Sequence, residues 1–145
     1  MRIRKSAVTA ALATAGALGM LATATPAQAD SIPDSLCGGV IDSHYCLWYN
    51  SNQKGGWTAT VSNVPNWGNM NGTGYPMNFS DGGQGTNGVG THVKNNAASY
   101  ANSDDSRTGV SYYNSNYAGA SDVAAPRKKG NLVNTYNNNA SFRWR

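Results

Sequence analysis

Residues 48–55, W-Y-N-S-N-Q-K-G, recur as residues 112–119, Y-Y-N-S-N-Y-A-G, with Tyr, Asn, Ser, Asn and Gly in register at an offset of 64. A second pair follows in the same order, N-N-A-A-S-Y at 95–100 and N-N-N-A-S-F at 137–142. Asn, Ser, Gly and Tyr are abundant in this chain, so identity alone is weak evidence. Two matched blocks in matched order identify an internal duplication. That constrains the fold strongly, because each copy must build the same unit and bury its apolar face against the other.

In each copy an aromatic pair runs into Asn-Ser-Asn-x-x-Gly, the chemistry of a sharp hairpin in which Asn tolerates left-handed backbone and Gly takes a positive φ. Gly55 and Gly119 are the expected corners. The runs 45–49, 56–61, 90–93, 110–113 and 140–144 are rich in aromatic and β-branched residues and bounded by Gly and Asn, so they read as strands. Helix signals are lacking, with no Glu anywhere and little Leu after residue 30. The class is therefore all-β. A hairpin, a connection, a polar N-N-x-x-S loop and a returning strand are the parts of a Greek key. Two such keys, about 37–105 and 108–145, would form one sandwich. Asn50 and Asn95 lie 45 residues apart but Asn114 and Asn137 only 23, so the first copy carries a Gly/Asn-rich insertion of about 22 residues within 63–90. Its apolar side chains Trp67, Met70, Tyr75, Met77 and Phe79 either tuck back onto the sandwich or are presented as a binding loop.

Residues 1–29 carry Arg2, Arg4 and Lys5, an apolar run, and Ala27-Gln28-Ala29, the pattern of a signal peptide with its cleavage site. The apolar run is shorter than the roughly 20 residues a membrane crossing needs. The expected mature chain, 30–145, is one secreted, extracellular domain. It holds 8 Lys and Arg against 7 Asp, a balance that gives no support to nucleic acid or anionic membrane as a partner. The basic cluster Arg127-Lys128-Lys129 reads as a solvated turn. Cys37 and Cys46, the only cysteines, are expected to pair in an oxidising compartment. Closing that short loop stabilises the fold by roughly 2–3 kcal/mol.

Tyr112, Tyr117 and Gly119 satisfy the spacing aromatic, four residues, aromatic, one residue, Gly; Trp48 and Gly55 keep it, with Gln53 at the middle position. Together with the two N-N-x-x-S loops, this resembles the βγ-crystallin Greek key of microbial secreted proteins. The size, the early cysteine pair and the repeated N-x-N-x-x-G corner look like the secreted bacterial peptidase inhibitors of that fold, of metalloproteinase-inhibitor type. The resemblance implies a monomeric inhibitor of an extracellular protease that requires no cofactor. It also implies weak calcium sites at Asn95, Asn96 and Ser99 and at Asn137, Asn138 and Ser141. Tyr100 and Phe142 replace the final Ser of the calcium pattern and neither loop holds a carboxylate, so binding should be weak or absent. No reactive-site segment aligns. On physical grounds the insertion is the candidate inhibitory loop, with Tyr75, Met77 and Phe79 as the apolar side chains a cleft would accept.

Catalysis finds little support. Without Glu, paired-carboxylate chemistry would need two of the Asp residues. His44 and His92 are the only imidazoles and stand in no metalloprotease or nucleophile motif. The expectation is a binder and not an enzyme. The alternatives are a cell-wall glycan-binding module, if Trp48, Trp57, Trp67 or Trp144 is exposed, and a crystallin-type antimicrobial or killer toxin. The near-neutral charge disfavours the toxin.

Overall fold

The computed structural model describes residues 30–31, 37 and 43–145; the expected leader, 1–29, lies outside the described residues. Among the described residues eight strands follow in order: β1 (Asp30–Ser31), β2 (Tyr45–Asn50), β3 (Lys54–Thr60), β4 (Ser99–Asn102), β5 (Gly109–Asn114), β6 (Ala118–Ala124), β7 (Lys128–Asn131) and β8 (Ser141–Trp144). They form two antiparallel sheets, ordered β1-β7-β4-β2-β3 and β6-β5-β8. The all-β class is the one expected, and no helix among the described residues is long and apolar enough to cross a membrane.

The duplication is visible in the register. Tyr45 faces Thr60 and Trp48 faces Trp57 in β2–β3, just as Gly109 faces Ala124 and Tyr112 faces Ser121 in β5–β6, and both ladders break at the same place before the turn. At the two corners Asn52, Gln53 and Gly55 have φ of 59°, 55° and 81°, and Asn116, Tyr117 and Gly119 have 60°, 63° and 82°. Three left-handed residues in so short a turn leave main-chain groups pointing away from any ladder, and a serine from the returning strand takes them. Ser99 Oγ donates to Asn50 O (2.7 Å) and accepts from the Gln53 N–H (3.0 Å). Ser141 Oγ does the same for Asn114 O (2.7 Å) and the Tyr117 N–H (3.0 Å). At the motif's middle position Tyr117 sets its ring edge-on to Tyr112, 6.1 Å between centroids. Gln53 instead sends its side-chain amide to Gly130 O of β7 (3.1 Å).

The copies interlock. β7 follows the second hairpin in the chain but pairs with β4, in the first copy's sheet. Val64 follows the first hairpin but bridges Phe142 of β8 in the second sheet. The core between the sheets centres on Tyr45, Leu47, Tyr100, Leu132 and Phe142. Tyr45 stacks on Phe142 at 4.1 Å, and its hydroxyl meets Ser111 Oγ of the opposite sheet at 2.9 Å. Gly109, which occupies the second copy's equivalent of Tyr45, leaves the room for that ring, since a Cβ there would stand 2.7 Å from it. On the outer face of β2 the Cys37–Cys46 disulfide forms as expected and packs with Trp48 and Trp57. Such a bond points to an oxidising, non-cytoplasmic setting.

Two expectations need correction. Residues 90–93 form no strand; His92 makes only an isolated bridge to Asn78, because Gly90 with φ 82° turns the chain there. Lys128 and Lys129 lie in β7, so that cluster is a strand with only Arg127, φ 57°, in the turn. Of the two alternatives for the insertion, Trp67 and Phe79 take the first: they tuck back and, with Val64, belong to the core.

Replacing either brace, Ser99→Ala or Ser141→Ala, leaves an N–H and a C=O of the turn, most of them only partly buried, without their side-chain partner. Each change is expected to lower unfolding free energy by about 1–3 kcal/mol and by similar amounts. Urea unfolding midpoints of the two variants test this, and an unmoved midpoint would deny the serines their role.

Candidate functional site

The insertion has no counterpart in the second copy, and the structure shows what fixes it. It runs along the open side of β3: the N–H groups of Gly55, Gly56 and Trp57 donate to Gln84 O (2.8 Å), Asn87 O (2.7 Å) and Ser80 O (2.9 Å), and Trp57 O accepts from the Ser80 N–H (2.8 Å). Glycine is required where the loop meets rings, for a Cβ on Gly82 would overlap the Trp57 indole and one on Gly88 the Tyr49 ring. The N–H groups of Phe79 and Val93 reach Thr91 O and Met77 O, tying the loop's two arms together.

Of the three side chains expected for a protease cleft, the structure keeps one available. Phe79 is 2% exposed and sits edge-on to Tyr49, so it is a core residue. Met77 is half-buried against the same core, as is Met70. Tyr75 is 76% exposed. The reason is local: the arm carrying Phe79 is paired to β3, while the 3-10 turn Met70–Gly72 lifts the chain away before Tyr75. This tip is braced. The Met70 N–H donates to Tyr75 O (2.9 Å), the Gly74 N–H to Asn69 Oδ1 (2.7 Å), and Thr73 Oγ1 to Met70 O (2.7 Å).

The two N-N-x-x-S loops face each other. Asn95 and Asn137 are both left-handed (φ 63° and 53°); the Asn95 N–H donates to Asn139 O and the Asn137 N–H to Ala97 O, both at 2.8 Å. Asn139, which the sequence reading passed over, is fully buried, accepting from the Ala97 N–H (2.9 Å) and donating to Val93 O (3.0 Å). Of the six calcium candidates, Ser99 and Ser141 are buried and committed to bracing the hairpins. The Asn96 amide donates to His92 O and Lys94 O (both 3.0 Å) and the Asn138 amide to Tyr136 O (3.0 Å). Asn95 and Asn137 remain exposed, with no carboxylate between them. This donor set does not fit a calcium ion, which wants several oxygens and gains affinity from charge. Among the described residues no group of three His, Cys, Asp or Glu is placed to hold a metal.

His92 Nδ1 meets Asn78 Oδ1 at 2.7 Å at the base of the insertion. The backbone N–H of His44 donates to Ser103 Oγ (2.9 Å). Asp104 and Asp105 diverge, the first buried and the second exposed. Asp104 holds the link between the copies: its carboxylate accepts from the N–H of Arg107 (2.6 Å), the N–H of Ser106 (2.9 Å) and Arg107 Nε (2.6 Å). Burial acts to raise this carboxyl, but those donors and the guanidinium charge outweigh it and hold it well below the usual carboxylate range. Arg107 in turn lies over Trp144, 4.2 Å from the ring centre.

No family model and no curated protein matches the chain. Solved structures do. One from work on the evolution of the eye-lens βγ-crystallin domain fold is similar with a TM-score of 0.50 at 10% identity, over 74% of this chain and 90% of that one. The N-terminal domain of protein S gives 0.49 at 16% identity over 70% and 94%. An archaeal βγ-crystallin gives 0.43 at 16% over 71% and 98%. The fold is that of a βγ-crystallin domain, and identities this low speak to fold alone.

Two outcomes follow from the site's chemistry. Calcium at about 1 mM, where extracellular calcium modules fill, should leave the thermal unfolding midpoint unmoved; a rise would restore the loop sites. Because the folded carboxyl of Asp104 is depressed, its stabilisation is complete above the unfolded value near 3.9 and is lost as pH falls below it. Thermal midpoints between about pH 5 and pH 2 should therefore drop more steeply for the natural chain than for Asp104→Asn, and parallel curves would contradict the assignment.

Proposed function

We propose that this protein is a binder that inhibits a peptidase, with the tip at residues 71–75 entering the cleft and Tyr75 as its anchor. The observation that carries this reading is a large aromatic side chain, 76% exposed, on a turn held by hydrogen bonds to Asn69, Met70 and Thr73. A backbone already fixed before binding costs little ordering entropy, which is how a small contact becomes a tight one. Tyrosines in such positions dominate binding energies at interfaces. A metalloprotease that takes an aromatic or apolar side chain next to the bond it cuts is the target class proposed. The reading is of a binder and not a catalyst, secreted and acting as a monomer.

The glycan-binding alternative has less behind it. A sugar stacks on an open indole face, yet Trp48 and Trp67 are buried, Trp57 lies under Gly82, and Trp144 carries Arg107 on its ring.

The purified protein is expected to slow a thermolysin-like enzyme at near-stoichiometric dose. Tyr75→Ala should weaken that inhibition by about ten-fold or more without moving the unfolding midpoint. If metallo-, serine and cysteine proteases all run at full speed in its presence, the proposal is wrong.

A further inference from the structure

A sheet edge presents unpaired N–H and C=O groups that invite another strand unless something covers them. The edge strands are β1 and β3 in one sheet and β6 and β8 in the other. β1 is only two residues long, and the outer sides of β8 and β3 are covered by different devices. On the outer side of β8, Val64 and Phe142 exchange N–H to O bonds of 2.8 Å and the Trp67 N–H donates to Ala140 O. The insertion covers β3. β6 has no such cover among the described residues: Gly119 and Ala120 are exposed, whereas their equivalents Gly55 and Gly56 are buried.

The covered copy shows what the bare one is ready to receive. Gly55, Gly56 and Trp57 correspond to Gly119, Ala120 and Ser121, in hairpins of identical register and matching corner angles. The first trio gives three N–H donors to the insertion and takes one bond back at Trp57 O. In the second copy that carbonyl, Ser121 O, already accepts from Asn134 Nδ2 (2.9 Å). What remains is a row of outward N–H groups that meet no acceptor beyond the β5 ladder among the described residues. Beside it Tyr113 is 45% exposed, while its counterpart Tyr49 is half-buried under Gly88.

We propose that residues 119–121 form a strand-addition site for an extended, glycine-containing segment of a partner polypeptide. The partner's main-chain carbonyls accept from Gly119, Ala120 and Ser121, and its glycine lies on the Tyr113 ring as Gly88 lies on Tyr49. Main-chain bonds of this kind give affinity while the pocket beside them selects the side chain. A second copy of the chain is a poor occupant, because two donor-rich edges cannot satisfy one another. The partner segment should also be uncharged. Residues 118–121 carry no charge, and the neighbouring Asp122 carboxylate is spent on the N–H groups of Val133 (3.1 Å) and Thr135 (2.8 Å) and on Thr135 Oγ1 (2.7 Å). The site stands whether or not the Tyr75 tip acts on a peptidase.

The test uses ¹⁵N-labelled protein and a synthetic peptide with blocked termini that copies residues 80–89 with Asp81→Asn, S-N-G-G-Q-G-T-N-G-V. In the free protein the amides of Gly119, Ala120 and Ser121 should exchange with solvent at least about 100-fold faster than those of Gly55, Gly56 and Trp57. The peptide should shift the signals of residues 113 and 119–121 selectively. Ala120→Pro, which removes one donor, should weaken binding by about ten-fold. Tyr113→Ala, an exposed change, serves the same purpose should the proline variant fail to fold. The proposal is overturned by slow exchange at all three amides in the free monomer, or by no selective shift at peptide concentrations up to about 5 mM. It is equally overturned by sedimentation showing a dimer whose formation protects them, which would make a second copy the occupant.

Discussion

The hydroxyl that joins each hairpin to its returning strand is the contact on which the rest of this domain depends. A turn with three left-handed residues is steep enough to fold back over its own sheet, but it strands a carbonyl at Asn50 or Asn114 and an N–H at Gln53 or Tyr117. Main-chain groups left that way cost up to about 1–3 kcal/mol each where they are shielded from water. One serine satisfies both, and in doing so fixes β4 against β2 and β8 against β5 at a single register. Register matters because strand side chains alternate faces, so a one-residue slip would turn the apolar set outward. With Ser99 and Ser141 in place, Tyr100 and Phe142 must point inward, where they stack on Tyr45 at 6.1 and 4.1 Å.

Interlocking then turns two units into one. Because β7 pairs in the first copy's sheet and Val64 in the second's, neither copy closes its own sheet without the other. Buried polar side chains cross the same divide. Tyr45 reaches Ser111, and burial pushes its phenol well above the ordinary range so that it stays neutral there. Asn102, fully buried at the end of β4, donates to Ala124 O at the end of β6 (3.0 Å) and to Arg107 O (2.8 Å), and accepts from the Asp104 N–H (3.0 Å). Fully paired polar groups in a core specify one arrangement of the sheets, since any other would leave them unmet.

The hairpins were legible because their cause is local: glycine and asparagine are what a positive φ demands, and the demand repeats. The disulfide was legible from compartment and count. The exchange of crossing segments was not, since it is decided by which sheet offers the better partner, a property of the assembled copies. β6, A-G-A-S-D-V-A, and β7, K-K-G-N, carry little strand propensity and are strands because β5 and β4 pair with them. The N-N-x-x-S loops were ambiguous for a related reason. A serine reads alike as a metal ligand or as a brace, and only the placement of the Gln53 and Tyr117 N–H groups decides between them.

The insertion teaches the opposite lesson about glycine. Its composition suggests a slack loop, and choosing it as the inhibitory loop placed Met77 and Phe79 among the presented side chains. In the structure the glycines are contact residues, bare backbone laid on the rings of Trp57 and Tyr49, and they allow Phe79 to reach the core. The segment thus does three things at once: it seals β3, it completes the hydrophobic interior, and it lifts Tyr75 clear. Those roles are separable only at the level of side chains. Excising residues 71–85 would remove Phe79 from the core and free the N–H groups of Gly55 and Trp57, so lost inhibition would report lost structure as readily as lost recognition. The Tyr75 ring, 76% exposed, supports nothing beneath it, and a change confined to that ring isolates recognition from the fold.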